Sequence, residues 1–378
     1  MLRLAVLPLL IRALAAQTTV PLIVEGNVPM IDVDLTGADG KMHRGRFVLD
    51  SGGGAFIVTE RLAKDLGMKP TGPARPEDGG SYAPTLAPAG RVGGMSLNLR
   101  GVRSAILMGE DRFDARDAAD GLFPGQLLER YHVVFDYPGR KFTLAPPGSM
   151  QPRGTAIAAR LRSDNGFPRI ELSLGGRVFG FLLDTGASYT MISRVKLEEW
   201  SAAGWPRHTG ASGFANMVGG RMENEALMTR IPELRTGELV LEGVGAVSRP
   251  DGTFEKWMSG MMPAPIVGSI AGNVLRNFRV EIDYKGGMVY LERTGSADVN
   301  DMDTVAVTLR GGPVISASAD PQLHTGDKLI TVDGVPVVGK SLSQVNELLR
   351  GKPGDKKKLE VEREGKKVEV EAAVTRLM

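Results

Sequence analysis

Cysteine is absent from all 378 residues. That excludes a thiol nucleophile, disulfide staples and thiolate metal sites, and it leaves the redox compartment open. Histidine is scarce. His43, His132, His208 and His324 are the full set, and no two are spaced as a metal pair. Neither a GxSxG nor an HExxH phrase occurs, so Ser–His and zinc-based hydrolysis have little support. Neither sign of charge dominates: Lys and Arg number 46 against 44 Asp and Glu, a net charge of +2. The basic clusters Lys356-Lys357-Lys358 and Lys366-Lys367 alternate with glutamates and lack aromatic neighbours. They read as solvated strand faces, and no nucleic-acid partner is expected.

Long apolar runs are also missing. The strongest lies in MLRLAVLPLLIRALAAQ, where Leu4 to Ile11 is apolar but too short to span a bilayer as a helix. A basic residue, this stretch and Ala13-Leu14-Ala15 outline an export signal over 1–16. The expected product is a periplasmic or secreted protein with no membrane span after cleavage. Arg12 interrupts the pattern; if the segment is instead an amphipathic helix, the protein is cytoplasmic.

What is present is a repeat. FVLDSGGG at 47–54 and FLLDTGAS at 181–188 are near copies. Before them, Pro29-Met30-Ile31-Asp32-Val33-Asp34-Leu35 and Pro168-Arg169-Ile170-Glu171-Leu172-Ser173-Leu174 both alternate apolar and polar residues. Each predicts a half-buried strand that pairs, across a turn, with the apolar approach to Asp50 or Asp184. After the acids come Phe56-Ile57-Val58-Thr59 and Thr190-Met191-Ile192-Ser193, with Thr59 and Ser193 placed to cap short helices. A second matched phrase follows, GLFPGQLLERYHVVFDY at 121–137 and GSIAGNVLRNFRVEIDY at 268–284. The repeat runs over 20–147 and 154–293, with a Pro-Pro-Gly-Ser linker between. Short strands and glycine-rich turns predict a mainly β protein, each half a small barrel or sandwich. Two similar halves suggest a pseudo-twofold axis that brings equivalent residues together.

A carboxylate at the end of an apolar strand is costly unless it is paired or hydrogen-bonded. Two carboxylates meeting across an axis share a proton, and their apparent pKa values split. The ionised member can activate a water while the protonated one donates to a peptide carbonyl. Such hydrolysis needs no cofactor and no metal. Ser51 and Thr185 offer hydroxyls that can bond across to the other half. Gly52 and Gly186 lack a Cβ, so their amides can approach the carboxylates.

The duplicated Φ-Φ-D-[ST]-G phrase, with its later glycine-hydrophobic phrase, resembles the retropepsin-like and pepsin-like aspartic proteases. The resemblance implies Asp50 and Asp184 as the catalytic pair, Ser51, Gly52, Thr185 and Gly186 as active-site loop residues, and a peptide cleft between two pseudo-twofold-related β lobes. It departs in the second phrase, where Pro124 and Ala271 stand at the closing glycine position and Ser269 replaces an apolar residue. Gly53 and Ala187 stand where pepsin-like relatives carry a serine, which predicts a working pH less acidic than theirs. Three glycines, Gly52 to Gly54, predict a loose first loop. Substrate flaps are expected at 79–94 and 210–220.

From 303 the composition changes. Thr325-Gly326-Asp327-Lys328-Leu329-Ile330, Val332-Asp333-Gly334, a helix over 341–349 and Lys352-Pro353-Gly354 resemble a bacterial PDZ domain spanning 303–375. That implies a small α+β domain with a groove for a peptide C-terminus, bound by β-addition. Gly312, Val314 and Ile315, within 309–315, are the candidate carboxylate-binding residues. The chain therefore reads as an aspartic endopeptidase, active as a monomer on peptide or unfolded protein. The alternative is a peptide-binding scaffold whose protease-like lobes do not cut.

Overall fold

The computed structural model describes residues 17–77, 80–109, 119–162, 164–202, 204–210, 226–294, 303–309 and 312–376. The export-signal segment lies outside these residues. No helix among those described is long and apolar enough to cross a membrane.

The alternating segments form the predicted hairpins. Val28–Thr36 pairs antiparallel with Met42–Asp50, and Arg169–Leu174 with Arg177–Leu183. Along the first strand Ile31, Val33 and Leu35 are fully buried, while Asp32 and Asp34 point the other way and pair with Arg46 and Arg44. Period-two alternation thus selects the face that meets the core. Burying each large apolar side chain contributes about 1.5–3 kcal/mol. Thr59 and Ser193 cap the helices Glu60–Asp65 and Arg194–Ser201, as expected.

Each half then inserts a strand from its second matched phrase. Gly121–Pro124 lies parallel to Met42–Asp50 and antiparallel to Phe56–Thr59. Gly268–Ile270 takes the same place between Arg177–Leu183 and Thr190–Ser193. The acid-bearing strands are therefore flanked on both sides, which holds their ends in place.

The two halves share a third sheet. Its order is Thr18–Pro21, Lys141–Ala145, His132–Asp136, Phe278–Asp283, Met288–Arg293, Thr155–Ala158, three strands from each half. At its centre Val134 pairs with Glu281, its own counterpart in the matched phrases, so the pseudo-twofold passes between them. The expectation of a small barrel or sandwich in each half did not include this joint sheet. Beside the axis, His132 and Glu281 are both fully buried and hydrogen-bonded at 2.8 Å. Arg279 Nη1 lies 2.6 Å from Glu281 Oε2, an ion pair whose angle falls short of a hydrogen bond. Burial pushes the Glu281 carboxyl up, but His132 and Arg279 together hold it below its ordinary value.

The last domain has a separate core around Val305, Ile315, Leu329, Val345 and Val361. Its main sheet runs Thr304–Val305, Lys366–Thr375, Lys356–Arg363, Lys328–Val332, Val335–Pro336. A hairpin of Val307–Leu309 with Ile315–Ser318 and the helix Leu342–Leu349 complete it. Ser341 caps that helix, its hydroxyl accepting the Gln344 amide while Gln344 returns a bond to the Ser341 amide.

Candidate active site

Asp50 ends its strand, and Asp184 follows directly on the second one. The residues after them cross between lobes in a reciprocal lattice. The Ser51 amide donates to Thr185 Oγ1 and the Thr185 amide to Ser51 Oγ, each at 3.0 Å. Ser51 Oγ donates to the Leu183 carbonyl at 2.5 Å, and Thr185 Oγ1 to that of Leu49 at 2.8 Å. Both hydroxyl residues are fully buried. Four buried bonds in symmetric pairs tie one acid loop to the other, and removing one partner leaves a buried polar group unsatisfied, at about 1–3 kcal/mol.

The lattice brings the carboxylates to one place. A Cβ on Gly186 would fall 2.2 Å from Asp50 Cγ, and one on Gly52 would fall 3.2 Å from Asp184 Cγ. Each acid thus lies against the glycine of the opposite loop, where only a missing side chain allows the approach. Amides face the acids as well: Gly52 donates to Asp50 Oδ1 at 2.9 Å, and Gly186 and Ala187 to Asp184 Oδ1 at 3.1 and 3.2 Å. Both acids are nearly buried, at 7% and 8% exposure, yet both line one cleft of about 950 Å³. Ser51, Gly52, Thr185 and Gly186 all stand in this constellation.

Behind the acids lies a second symmetric pair. Tyr137 and Tyr284, the last residues of the matched phrases, are buried with hydroxyls that find no hydrogen-bond partner among the described residues. Burial raises both phenols well above their ordinary value. The charge of Asp184 adds to this at Tyr137, and those of Glu129 and then Asp50 at Tyr284.

The closing glycines sit one residue later than the sequence reading placed them. The Gly125 amide donates to the Gly53 carbonyl at 3.0 Å, and the Gly272 amide to that of Ala187 at 2.9 Å. A Cβ on Gly125 would meet the Ser51 carbonyl oxygen at 2.7 Å, and one on Gly272 that of Asn27 at 2.0 Å. Pro124 and Ala271 need no replacement by glycine, because the tight approach falls on their successors. The looseness expected of Gly52 to Gly54 is also limited. Gly53 abuts Leu122 and Asp50, so two of the three glycines answer to close packing, and only at Gly54 would a Cβ meet its neighbours at ordinary contact distance.

The cleft walls were not legible in the sequence. One side is Tyr82, Pro84 and Arg75 from the hairpin of Arg75–Glu77 with Gly80–Pro84. Another is Trp257, Met258 and Met261, at and beyond the wide helical turn Thr253–Met258. Arg103, Arg162 and Phe167 also line it. Of the expected flap 79–94, Tyr82, Pro84 and Thr85 line the cleft. Gly90–Val92 instead pairs with Val28–Thr36, away from the acids. The other flap, 210–220, lies outside the described residues apart from Gly210. Its stem is the pairing of Arg207–Gly210 with Ala226–Thr236.

Of Gly312, Val314 and Ile315, assigned to a carboxylate-binding loop, Val314 and Ile315 have their amides engaged elsewhere. Ile315 donates to the Asp327 carbonyl and accepts from Gly326, both at 2.8 Å, and its side chain is in the domain core. Val314 donates back to Gly312 and forms a bridge with Lys328. These backbone groups are spent inside the domain and cannot also pair with a peptide.

Comparison with known proteins bears on both regions. A family model described as aspartyl protease matches residues 170–269, which include the second acid loop, and one described as PDZ domain matches residues 300–374. No curated protein gives a significant match to the chain. The mainly β chain thus carries an aspartyl protease domain, in which the second acid loop lies, followed by a C-terminal PDZ domain.

Proposed function

We propose that this chain is an aspartic endopeptidase that hydrolyses peptide bonds with a water activated between Asp50 and Asp184. The observation that carries this reading is the reciprocal Ser51–Thr185 lattice, which seats two acids at the floor of one cleft. One carboxylate takes the proton of the water as it attacks the peptide carbon, and the other donates to the carbonyl oxygen. The C–N bond then breaks as the carboxyl that took the water proton gives it to the departing nitrogen, the other carboxylate recovers a proton from the collapsing diol, and no covalent enzyme intermediate forms. Tyr82 and Trp257, which both line the cleft, provide apolar surface for an extended substrate. Neither a metal nor a cofactor enters the scheme.

The PDZ domain supplies a second peptide site. Its groove lies between the edge of Val307–Leu309 not paired to Ile315–Ser318 and the helix Leu342–Leu349, where an extended C-terminus adds as a strand. The protein acts as an exported monomer on unfolded protein or peptides, the PDZ domain capturing or presenting the substrate. Unfolded protein incubated with the full chain and read by mass spectrometry should show internal cleavages. Asp50→Asn and Asp184→Asn should each lower the rate by at least about a thousandfold. Unchanged cleavage in either variant removes the dyad. Peptide binding with no cleavage by the wild type supports the scaffold reading instead.

A further inference from the structure

One turn lies between the second acid loop and the PDZ domain. The chain passes from Ile23–Glu25 to Val28–Thr36 through Gly26 and Asn27, whose φ angles are 52° and 69°. Asparagine is one of the few side chains that enters this left-handed region readily. Asn27 is buried, and its amide is used at both ends. Nδ2 donates to the Ser188 carbonyl at 3.1 Å, and Oδ1 accepts from Arg276 Nη1 at 2.9 Å. The same Ser188 carbonyl accepts the Asn273 amide at 2.9 Å. On the other side, Ser341 Oγ donates to Glu25 Oε2 at 3.0 Å while it caps the helix Leu342–Leu349. A Cβ on Gly26 would lie 2.5 Å from Ser343 Oγ, so turn and helix are in contact. Three consecutive residues thus touch the PDZ domain at one end and the acid loop at the other.

We propose that residues 25–27 are a positioning element for Asp184, and that through them the PDZ domain sets the geometry of the cleft. This rests on the proteolytic reading. Asn27 acts through Ser188, on the loop whose Gly186 and Ala187 amides address Asp184. The helix resting on the turn is also a wall of the proposed peptide groove, so a peptide entering that groove bears on the same contact. The first acid loop lacks this brace: the turn that packs against its Gly125 is Asn165-Gly166, from the second half, with glycine where Asn27 stands.

Asn27→Gly keeps the backbone angle comfortable and deletes only the side chain. In the full-length protein it should lower kcat roughly tenfold or more with KM little changed, and shift the pH profile of kcat. An unchanged kcat and profile, with Asp184→Asn still inactive, overturns the inference and leaves the proteolytic reading standing. Cleavage intact in Asp184→Asn defeats that reading and the inference with it. Glu25→Ala, which touches the PDZ side alone, should lower kcat by about fivefold; no change breaks the route from that domain. The contact itself has a readout without activity. The chain has no cysteine, so Gly26→Cys with Ser343→Cys creates a single pair; the Cβ built at Gly26 lies 3.1 Å from Ser343 Cβ, and a shift of about half an ångström apart brings the two into the usual disulfide span. Mild oxidation should cross-link the monomer with the loss of two hydrogens by mass. Failure to cross-link overturns the docking on which the proposal depends.

Discussion

The two acid loops share a plan but differ in how they are braced. The lattice of Ser51 and Thr185 treats them alike, and after each inserted strand a glycine amide reaches the loop beside it. Beyond that they diverge. In the second lobe Asn273 Oδ1 accepts from the amide and the hydroxyl of Thr190, at 2.8 and 3.0 Å, and Asn273 Nδ2 donates to Gly245. The matching residue of the first lobe, Gln126, reaches outward and accepts the Arg103 amide at the cleft wall. At the ends of the short helices Gly125–Leu128 and Gly272–Leu275 stand Glu129 and Arg276, opposite in charge. Arg276 bonds Asn27, whereas Glu129 lies half-buried near Asp164. Duplication thus keeps the contacts that make two acids meet. The surroundings are free to specialise, one loop towards rigid support and the other towards the cleft.

The comparison can be broken most sharply at the shared contact. Gly186→Ala places a methyl 2.2 Å from Asp50 Cγ, so the acids must separate. Cleavage should fall by at least about a hundredfold, measured on a fixed peptide. Wild-type activity in this variant would show that the close approach is unnecessary.

A smaller effect tests the divergent helix ends. Burial first, and the charge of Asp164 after it, push the Glu129 carboxyl up to about 7 from 4.5, against the opposing pull of Arg130. The folded protein therefore holds this proton more tightly than the unfolded chain. The associated stability is complete below pH 4.5 and is lost as pH rises through about 7. Glu129→Gln keeps a neutral side chain throughout, so the variant's melting temperature should gain on the wild type's between those values. A constant difference across the window would deny the shift. The smallest effect is expected at Gly54, where a Cβ would meet nothing closer than 3.7 Å and φ is not positive. Gly54→Ala should stabilise by about 0.4–1 kcal/mol in denaturant titration, by narrowing the unfolded ensemble, with activity kept. A loss of stability would mean that the first loop needs its third glycine.

The legible parts were local. Alternation in 29–35 and 168–174 announced the hairpins, and Thr59, Ser193 and Ser341 announced helix starts, because periodicity and capping act over a few residues. The register of the closing glycine was misread by one position, since Gly125 and Gly272 are required by backbone from other segments. Val314 and Ile315 were misassigned to peptide binding for a similar reason: Ile315 looks like a loop end in sequence but pairs with residues after a turn. Tyr82, Trp257 and Asn27 carried no signal, as each takes its meaning from neighbours distant in the chain.

By itself the sequence determined that the chain is a duplication, that each copy ends a buried strand in an acid followed by a hydroxyl and a glycine, and that a compositionally distinct domain follows. Tertiary structure decided that the copies join through one shared sheet and that Ser51 and Thr185 interlock although they are 134 positions apart. It also decided that the last domain rests on residues 25–27. Local patterns fix which face of a strand is apolar, whereas a meeting of distant residues depends on how whole sheets pack, and no short window of residues contains that information.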